Sequence, residues 1–452
     1  MIIALFMIML DVSVVTVALS DIAKNLNASV QDASWVLSAY TLVFAANLIV
    51  AGRLGDHFGR KKIFVVGLLI FMFASVACGL SQNITTLIVF RAVQALGASF
   101  IMPATLSFVS LLFPPEKRGM AMGIWGVTSG ISSALGPAIG GFITHNFSWH
   151  YIFFLNVPLS IIAIAGVVLV FAESKDEKKA KLDILGAFLN IILLLFLTFG
   201  ITIITDPKMF VFAVLSLVLF LVSLIAFIVH EKRLGEEALL ELSLFKERSF
   251  TIGVICGFIL MFGMMGVFYL MPYFWQHIGM LNPAQAGVNM LPMTVSMLVI
   301  TPFVGRLSDK TKPKYLMIGG SLLSAIGVAI VCMQMRIAPP SSSFFVGMLL
   351  AGLGMAFLQT PLTTSVMASI PPSKAGAGSG VLTSSRQVGS LIAVALMTMI
   401  ISGTATPGVI GLKTATNIQT GLLVIVFAYS ISAALLFLVK GETIKELVNR
   451  KS

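Results

Sequence analysis

Apolar runs of about twenty residues recur along the whole of this chain, separated by short polar segments. Coiled as an α-helix, about twenty residues cross the ~30 Å hydrocarbon core of a bilayer. In lipid every backbone amide and carbonyl must find its partner inside the protein, which leaves helices and closed barrels as spanning structures. The runs are continuous and do not alternate every second residue, so a barrel is excluded. Fourteen runs fall at about 1–20, 34–53, 61–80, 86–112, 118–144, 151–171, 183–204, 208–229, 250–274, 284–307, 314–334, 343–368, 377–401 and 417–439. Composition agrees: 58% of the 452 residues are hydrophobic and 10% are charged, against roughly 25% charged in soluble domains. The fold class that follows is an all-α polytopic membrane protein. The first run reads as a retained span, because Asp11 sits at its middle and no basic segment precedes it.

An even number of spans places both termini on one side, and the basic residues identify that side as cytoplasmic. Loops after even-numbered spans, with the C-terminal segment, hold 23 Lys and Arg; the opposite loops hold four, Lys24, Lys208, Arg336 and Lys413. Arg91 and Arg386 lie inside spans. The net charge of +11 is scattered over short clusters, which speaks for orientation in the cell membrane and against nucleic-acid binding. Cys78, Cys256 and Cys332 lie in apolar runs without metal-ligand spacing, and no Walker loop occurs, so neither metal, nucleotide nor other cofactor is expected.

The segment Gly52-Arg53-Leu54-Gly55-Asp56-His57-Phe58-Gly59-Arg60-Lys61-Lys62 repeats as Gly305-Arg306-Leu307-Ser308-Asp309-Lys310, 253 residues on. Span 10 is therefore the partner of span 2. The repeat divides the chain into a six-span half (1–172), two additional spans (173–230), a cytoplasmic interfacial linker (231–248) expected to be helical, a second six-span half (249–440) and a tail (441–452). Transporters built from repeated halves carry their substrate site between the halves near the membrane midplane.

The Gly-x-Leu-x-Asp-x-x-Gly-Arg-Lys segment at 52–61 resembles the cytoplasmic loop signature of the major facilitator superfamily. Further segments resemble its 14-span drug:proton antiporter branch: Leu10-Asp11-Val12 through Leu19 in span 1, Trp35-Val36 with Ala39-Tyr40 in span 2, Arg91-Ala92-Val93-Gln94 through Ala98 in span 4, and Trp149 to Pro158 at span 6. Gly136-Pro137-Ala138-Ile139-Gly140-Gly141 in span 5 is similar to that branch's antiporter signature. Ser13, Thr16, Ser20 and Ala95 depart from the usual residues. The resemblance implies the major facilitator fold, with fourteen transmembrane helices, and export in exchange for protons.

The residues support that chemistry on their own terms. Asp11 is the one carboxylate deep within an apolar run, where an ionised side chain costs about 3 kcal/mol on insertion scales. A carboxyl there can hold a proton or face a cation, and the two occupancies compete. The alternative is an acid paired permanently with Arg91 to fix helix packing. A guanidinium stays protonated, so Arg91 would act electrostatically on Asp11 or anchor at the interface. Asp32 is either a second titrating site at the outer mouth or the acid of a capping box begun by Ser29. Asp56, pairing with Arg118 and repeated as Asp309, reads as a cytoplasmic latch, with Gly52, Gly59 and Arg60 supplying close approach, a turn and a cation. Gly136, Pro137, Gly140 and Gly141 present a smooth face for packing between the halves.

Candidates for an adaptable apolar pocket are Tyr40, Asn47, Gln94, Trp125, Tyr269, Tyr273, Phe274, Asn289, Met290 and Gln359. The expected partners are small amphiphilic substrates, monocationic, zwitterionic or neutral, together with protons and lipid, handled by a monomer that is not an enzyme. A dedicated exporter of one metabolite, peptide or lipid would use the same motifs. A channel or a non-transporting scaffold gives Asp11 no role.

Overall fold

The computed structural model describes the chain apart from residues 29, 115–116, 171–182, 205–207, 236–237, 241, 282, 336–340, 372–373, 403–411 and 440–452. The side chains of some helical residues, Asp32 and Pro137 among them, are also outside the described residues. Fifteen α-helices and no strand occur among the described residues: α1 (Ile2–Asn25), α2 (Val30–Phe58), α3 (Arg60–Gly79), α4 (Ile84–Leu112), α5 (Arg118–Asn146), α6 (His150–Phe154), α7 (Asn156–Val170), α8 (Ile184–Ile203), α9 (Phe210–Leu234), α10 (Arg248–His277), α11 (Pro283–Lys310), α12 (Pro313–Met333), α13 (Phe345–Ala368), α14 (Ala375–Ser402) and α15 (Leu412–Phe437).

Each apolar run coincides with a helix, α6 and α7 forming one rod interrupted at Leu155 ahead of Pro158. Among the described residues, twelve stretches are long and apolar enough to cross a membrane, one in each helix but α1 and α5, with α6 and α7 sharing one. In α5, Gly and Ser residues lower the hydropathy. Several helices outlast their apolar runs. α2 begins at Val30 and ends at Phe58, and α9 continues to Leu234, because backbone hydrogen bonding does not stop where hydropathy falls. The interfacial helix expected over 231–248 is not what forms. The end of α9 and a short 3₁₀ turn, Leu242–Lys246, occupy that stretch.

The second half has its own apolar core, from Ile252 through Met293, Met355 and Tyr429 to Val439. The first half's core reaches across to Phe250, Val366, Ile370 and Val381, so the halves are packed together at the end that carries Asp56 and Asp309. Gly52 on α2 and Gly376 on α14 make that approach possible, since a Cβ on Gly52 would stand 2.7 Å from the Gly376 carbonyl carbon. The pair α8–α9 leans on the first half, with Asn190 Nδ2 donating to the Ala46 carbonyl at 3.2 Å. The outer face of α9 remains exposed, as at Val211 and Ile225, in keeping with contact to lipid.

Candidate functional site: a buried acid–base network and two latches between the halves

Asp11 lies on α1, fourteen residues or about 21 Å from the helix end at Asn25 and so well inside the apolar stretch. It is 2% exposed, and Arg91 on α4 is fully buried beside it. Arg91 Nη1 donates to Asp11 Oδ2 at 2.5 Å. Asp11 Oδ1 accepts from Asn156 Nδ2 at 2.8 Å and from Gln94 Nε2 at 3.1 Å. Gln94 also accepts from Arg91 Nη1 at 2.6 Å and donates to the Ser75 hydroxyl at 2.7 Å. The Arg91 guanidinium stands 4.2 Å over the Tyr40 ring, with Phe153 on the same cation at 5.7 Å. Six helices of the first half therefore converge on one ion pair. Two donors in this cluster, Arg91 Nη2 and the Tyr40 hydroxyl, have no hydrogen-bond partner.

Sequence reasoning brought Asp11 and Arg91 together but missed Asn156 and Ser75. The signal for Asn156 was its place two residues before Pro158: the break between α6 and α7 puts this amide at the first position of α7. Gln94 and Tyr40, expected to line a substrate pocket, instead belong to the Asp11 network. The side chain of Asp32, and Ser29 altogether, lie outside the described residues.

The latch has a partner other than the one expected. Asp56 is 1% exposed and is gripped by Arg60, whose Nε and Nη2 donate to Oδ1 at 2.9 and 2.6 Å. Across the halves, Asp56 accepts from the backbone amides of Gly376 at 3.1 Å and Ala377 at 2.9 Å, the first turn of α14. Its partners are thus Arg60 and a helix N-terminus, not Arg118, which donates to the Phe113 carbonyl at the start of α5. An anion at a helix N-terminus meets unpaired amides and the positive end of the helix dipole. Asp309 makes the reciprocal contact, accepting from the amide of Met120 in the first turn of α5 at 3.0 Å. Each half's acid therefore caps a helix of the other half. Gly59, with φ of 108° and ψ of 127°, turns the chain between Asp56 and Arg60 in a conformation that favours glycine.

Gly136 and Gly140 pack somewhere other than expected. A Cβ on either would strike Ser13 or Val14, so they seat α5 against α1, the helix that carries Asp11, within the first half. Gly141 has open space around it, and the Pro137 side chain is outside the described residues. The seam between the halves is made higher in α5, where Gly123 and Gly126 face Thr301 and Pro302 of α11.

Of the remaining pocket candidates, Phe274 and Met290 are core, Phe274 lying edge-on to Phe344 at 5.6 Å. Trp125 is buried and donates to the Thr105 hydroxyl at 3.1 Å. Asn47 is tied to the Val43 carbonyl, and the Tyr269 hydroxyl accepts from Thr398 at 2.8 Å. Tyr273 and Gln359 are half-buried. Asn289 alone of the ten lines a groove of about 680 Å³ between α11 and α13, formed mostly by aliphatic side chains.

Repeated halves that cap one another's helices, with a buried acid–base network in one of them, are the build of a transporter. Residues 1–394 match the model of the Major Facilitator Superfamily. The riboflavin transporter RibZ of Clostridioides difficile is 32% identical over 395 residues, which cover 85% of this chain and 83% of that protein. The multidrug transporter protein MdtP of Bacillus subtilis is 32% identical over 393 residues, 86% of this chain and 71% of that one. The tetracenomycin C resistance and export protein of Streptomyces glaucescens is 29% identical over 402 residues, 87% and 73%. The proton:xylose symporter XylE superimposes with a TM-score of 0.70 at 15% identity, over 100% of this chain and 97% of XylE, which shows the shared fold. The chain belongs to the major facilitator superfamily. It is a multi-pass membrane transporter of small molecules and not an enzyme.

Proposed function

We propose that the protein exports small amphiphilic molecules from the cell in exchange for protons by alternating access, with Asp11 as the main proton site. The observation that carries this reading is the carboxylate itself, buried well inside the apolar stretch of α1 with a permanent cation and two amides on its oxygens. A proton taken up by Asp11 removes the charge that pairs with Arg91 and so frees the helices which the pair joins. Relatives named for multidrug transport and for tetracenomycin C export support the outward direction. Fourteen membrane helices, with α1 and α5 completing the twelve clear spans, and cytoplasmic termini follow from the helix order and the distribution of basic residues. The reciprocal caps of Asp56 and Asp309 close the cytoplasmic side, so the structure represents the state closed to the cytoplasm. The protein works as a monomer without a cofactor.

The test is a proteoliposome with an acidic lumen and a pH dye inside. Adding ethidium, a monocationic amphiphile, raises lumenal pH in wild-type vesicles and leaves it unchanged with Asp11→Asn. Loss of the gradient without any added compound would instead identify a channel. A second reading, a dedicated metabolite exporter, is favoured by the riboflavin transporter relative. Proton release on adding riboflavin but not ethidium would select it.

A further inference from the structure

Arg386 has no role in the chemistry above, yet it lies eleven residues into α14, about 16 Å from its cytoplasmic end and so near mid-membrane. It is 6% exposed. Its Nη2 donates to the Thr363 hydroxyl on α13 at 2.5 Å, while its Nε is buried without a partner. None of the ion pairs among the described residues includes it. The sequence explains why: between residues 249 and 440 the single acidic residue is Asp309, committed to the α5 cap. Arg91 is neutralised in the first half by Asp11, but the second half has nothing to offer its own guanidinium. A charge at this depth is rare and marks a functional site by default. Ser365 on α13 and Ser384 on α14, each two residues along its helix from Thr363 or Arg386, also have buried hydroxyls without partners among the described residues. On α10, Gly257 lies against this side chain: a Cβ there would stand 3.7 Å from Nε, so the glycine keeps α10 from crowding that nitrogen.

We infer that Arg386 is an anion subsite, which takes the carboxylate, sulfonate or phosphate of an amphiphilic substrate across its Nε–Nη2 edge, with Thr363 fixing the guanidinium. A planar guanidinium binds such groups through two parallel hydrogen bonds. The inference rests on reading the protein as an exporter of amphiphiles and adds organic acids to that class, with a fixed site for the anionic group of zwitterions.

Two naphthyl probes that differ by one sulfonate separate the charge from the apolar body: 1-anilinonaphthalene-8-sulfonate and the neutral N-phenyl-1-naphthylamine. Binding is measured to the full-length protein in lipid nanodiscs, with empty discs as the blank. Wild type is expected to hold the sulfonate at least as tightly as the more apolar neutral probe. Arg386→Gln weakens the sulfonate about tenfold or more and leaves the neutral probe within about twofold, the scale of a lost charge-assisted pair. Arg386→Lys, which keeps the charge, retains the sulfonate preference. Equal loss of both probes in Arg386→Gln, or no loss of either, overturns the assignment. Should Arg386→Gln fail to fold, a wild-type preference for the neutral probe overturns it alone. Export of N-phenyl-1-naphthylamine by wild type under a pH gradient is scored separately. Export without sulfonate discrimination refutes the anion subsite and leaves the exporter reading standing; discrimination without export does the reverse.

Discussion

Replacing Asp11 by Asn removes one negative charge at nearly constant volume, and the structure determines what is left behind. Read from sequence, the change relieves a costly buried acid and leaves folding intact or improved. The structure reverses that expectation. Arg91 is fully buried, its charge partner among the described residues is Asp11, and the amide of Asn cannot neutralise it. Gln94, the Val36 carbonyl and the Tyr40 ring remain as dipolar or quadrupolar partners. Breaking a buried pair by removing one member costs about 3–5 kcal/mol, most of it from the stranded charge. Asp11→Asn should therefore lower thermal stability in detergent as well as abolish pH-driven export. Asp11→Asn with Arg91→Gln should recover a large part of the stability and none of the coupling. The assay is a melting curve of wild type, both single variants and the double, beside proton release from vesicles. If Asp11→Asn melts with wild type, or the double is no more stable than the single, the pair is not the closed unit its geometry suggests. Wild-type export by Asp11→Asn would remove it from the coupling step.

Other perturbations test separate parts. Asp56→Asn loses the charge on the α14 amides, worth about 1–2 kcal/mol; alkylation of Ser107→Cys, at the α4–α14 contact, from the cytoplasmic side should then rise about tenfold while substrate affinity is kept. Asp183, the N-cap of α8, is pulled up by burial but pulled further down by His230 and the amides of Gly186 and Leu239, so its carboxyl titrates below the ordinary 3.8. The stability it supplies is fully present above that value and is lost as pH falls through the depressed one; Asp183→Asn should remove this acid-dependent step from the melting profile. One proton exchanged for one monocation moves no net charge, so ethidium export should follow the pH gradient, about 1.4 kcal/mol per unit, and ignore a valinomycin potential worth about 2.3 kcal/mol per 100 mV. Sensitivity to that potential would mean that a second proton travels.

What the sequence made legible was what the solvent dictates. Lipid forces helices of fixed minimum length, so the fourteen runs located the helices closely, and the depth of Asp11 and Arg91 in those runs made their pairing foreseeable. The repeated Asp56 and Asp309 were visible as equivalents, but their partners were not, because a backbone amide at a helix start has no residue type to betray it. Pocket candidates failed for a related reason. Depth in a span can be read from hydropathy, but the direction a side chain faces cannot when all sides of the helix are apolar, as Phe274 and Gln94 show. The pairing of Asp183 with His230 went unseen because the two are 47 residues apart and meet only through the fold of α8 on α9.

Two helices connect the buried pair to the seam between the halves. α4 carries Arg91 and Gln94, and twelve residues further on the Pro103 carbonyl accepts from the Ser379 hydroxyl of α14 at 3.0 Å, beside the Ser107–Ser379 contact. That separation is about 18 Å along a stiff rod. α5 is seated on α1 by Gly136 and Gly140, next to Asp11, and its other end is the one capped by Asp309. A change in the charge of Asp11 therefore acts on α4 through Arg91 and on α5 through α1, and each of those helices ends in a contact with the second half. Coupling of this kind needs no chain of intermediate side chains, because a packed helix moves as one body and both of its ends are held by polar contacts that are made or broken outright. The same geometry explains why the two caps are reciprocal. With one acid on each half, opening the seam breaks both, so neither half can separate while the other remains latched.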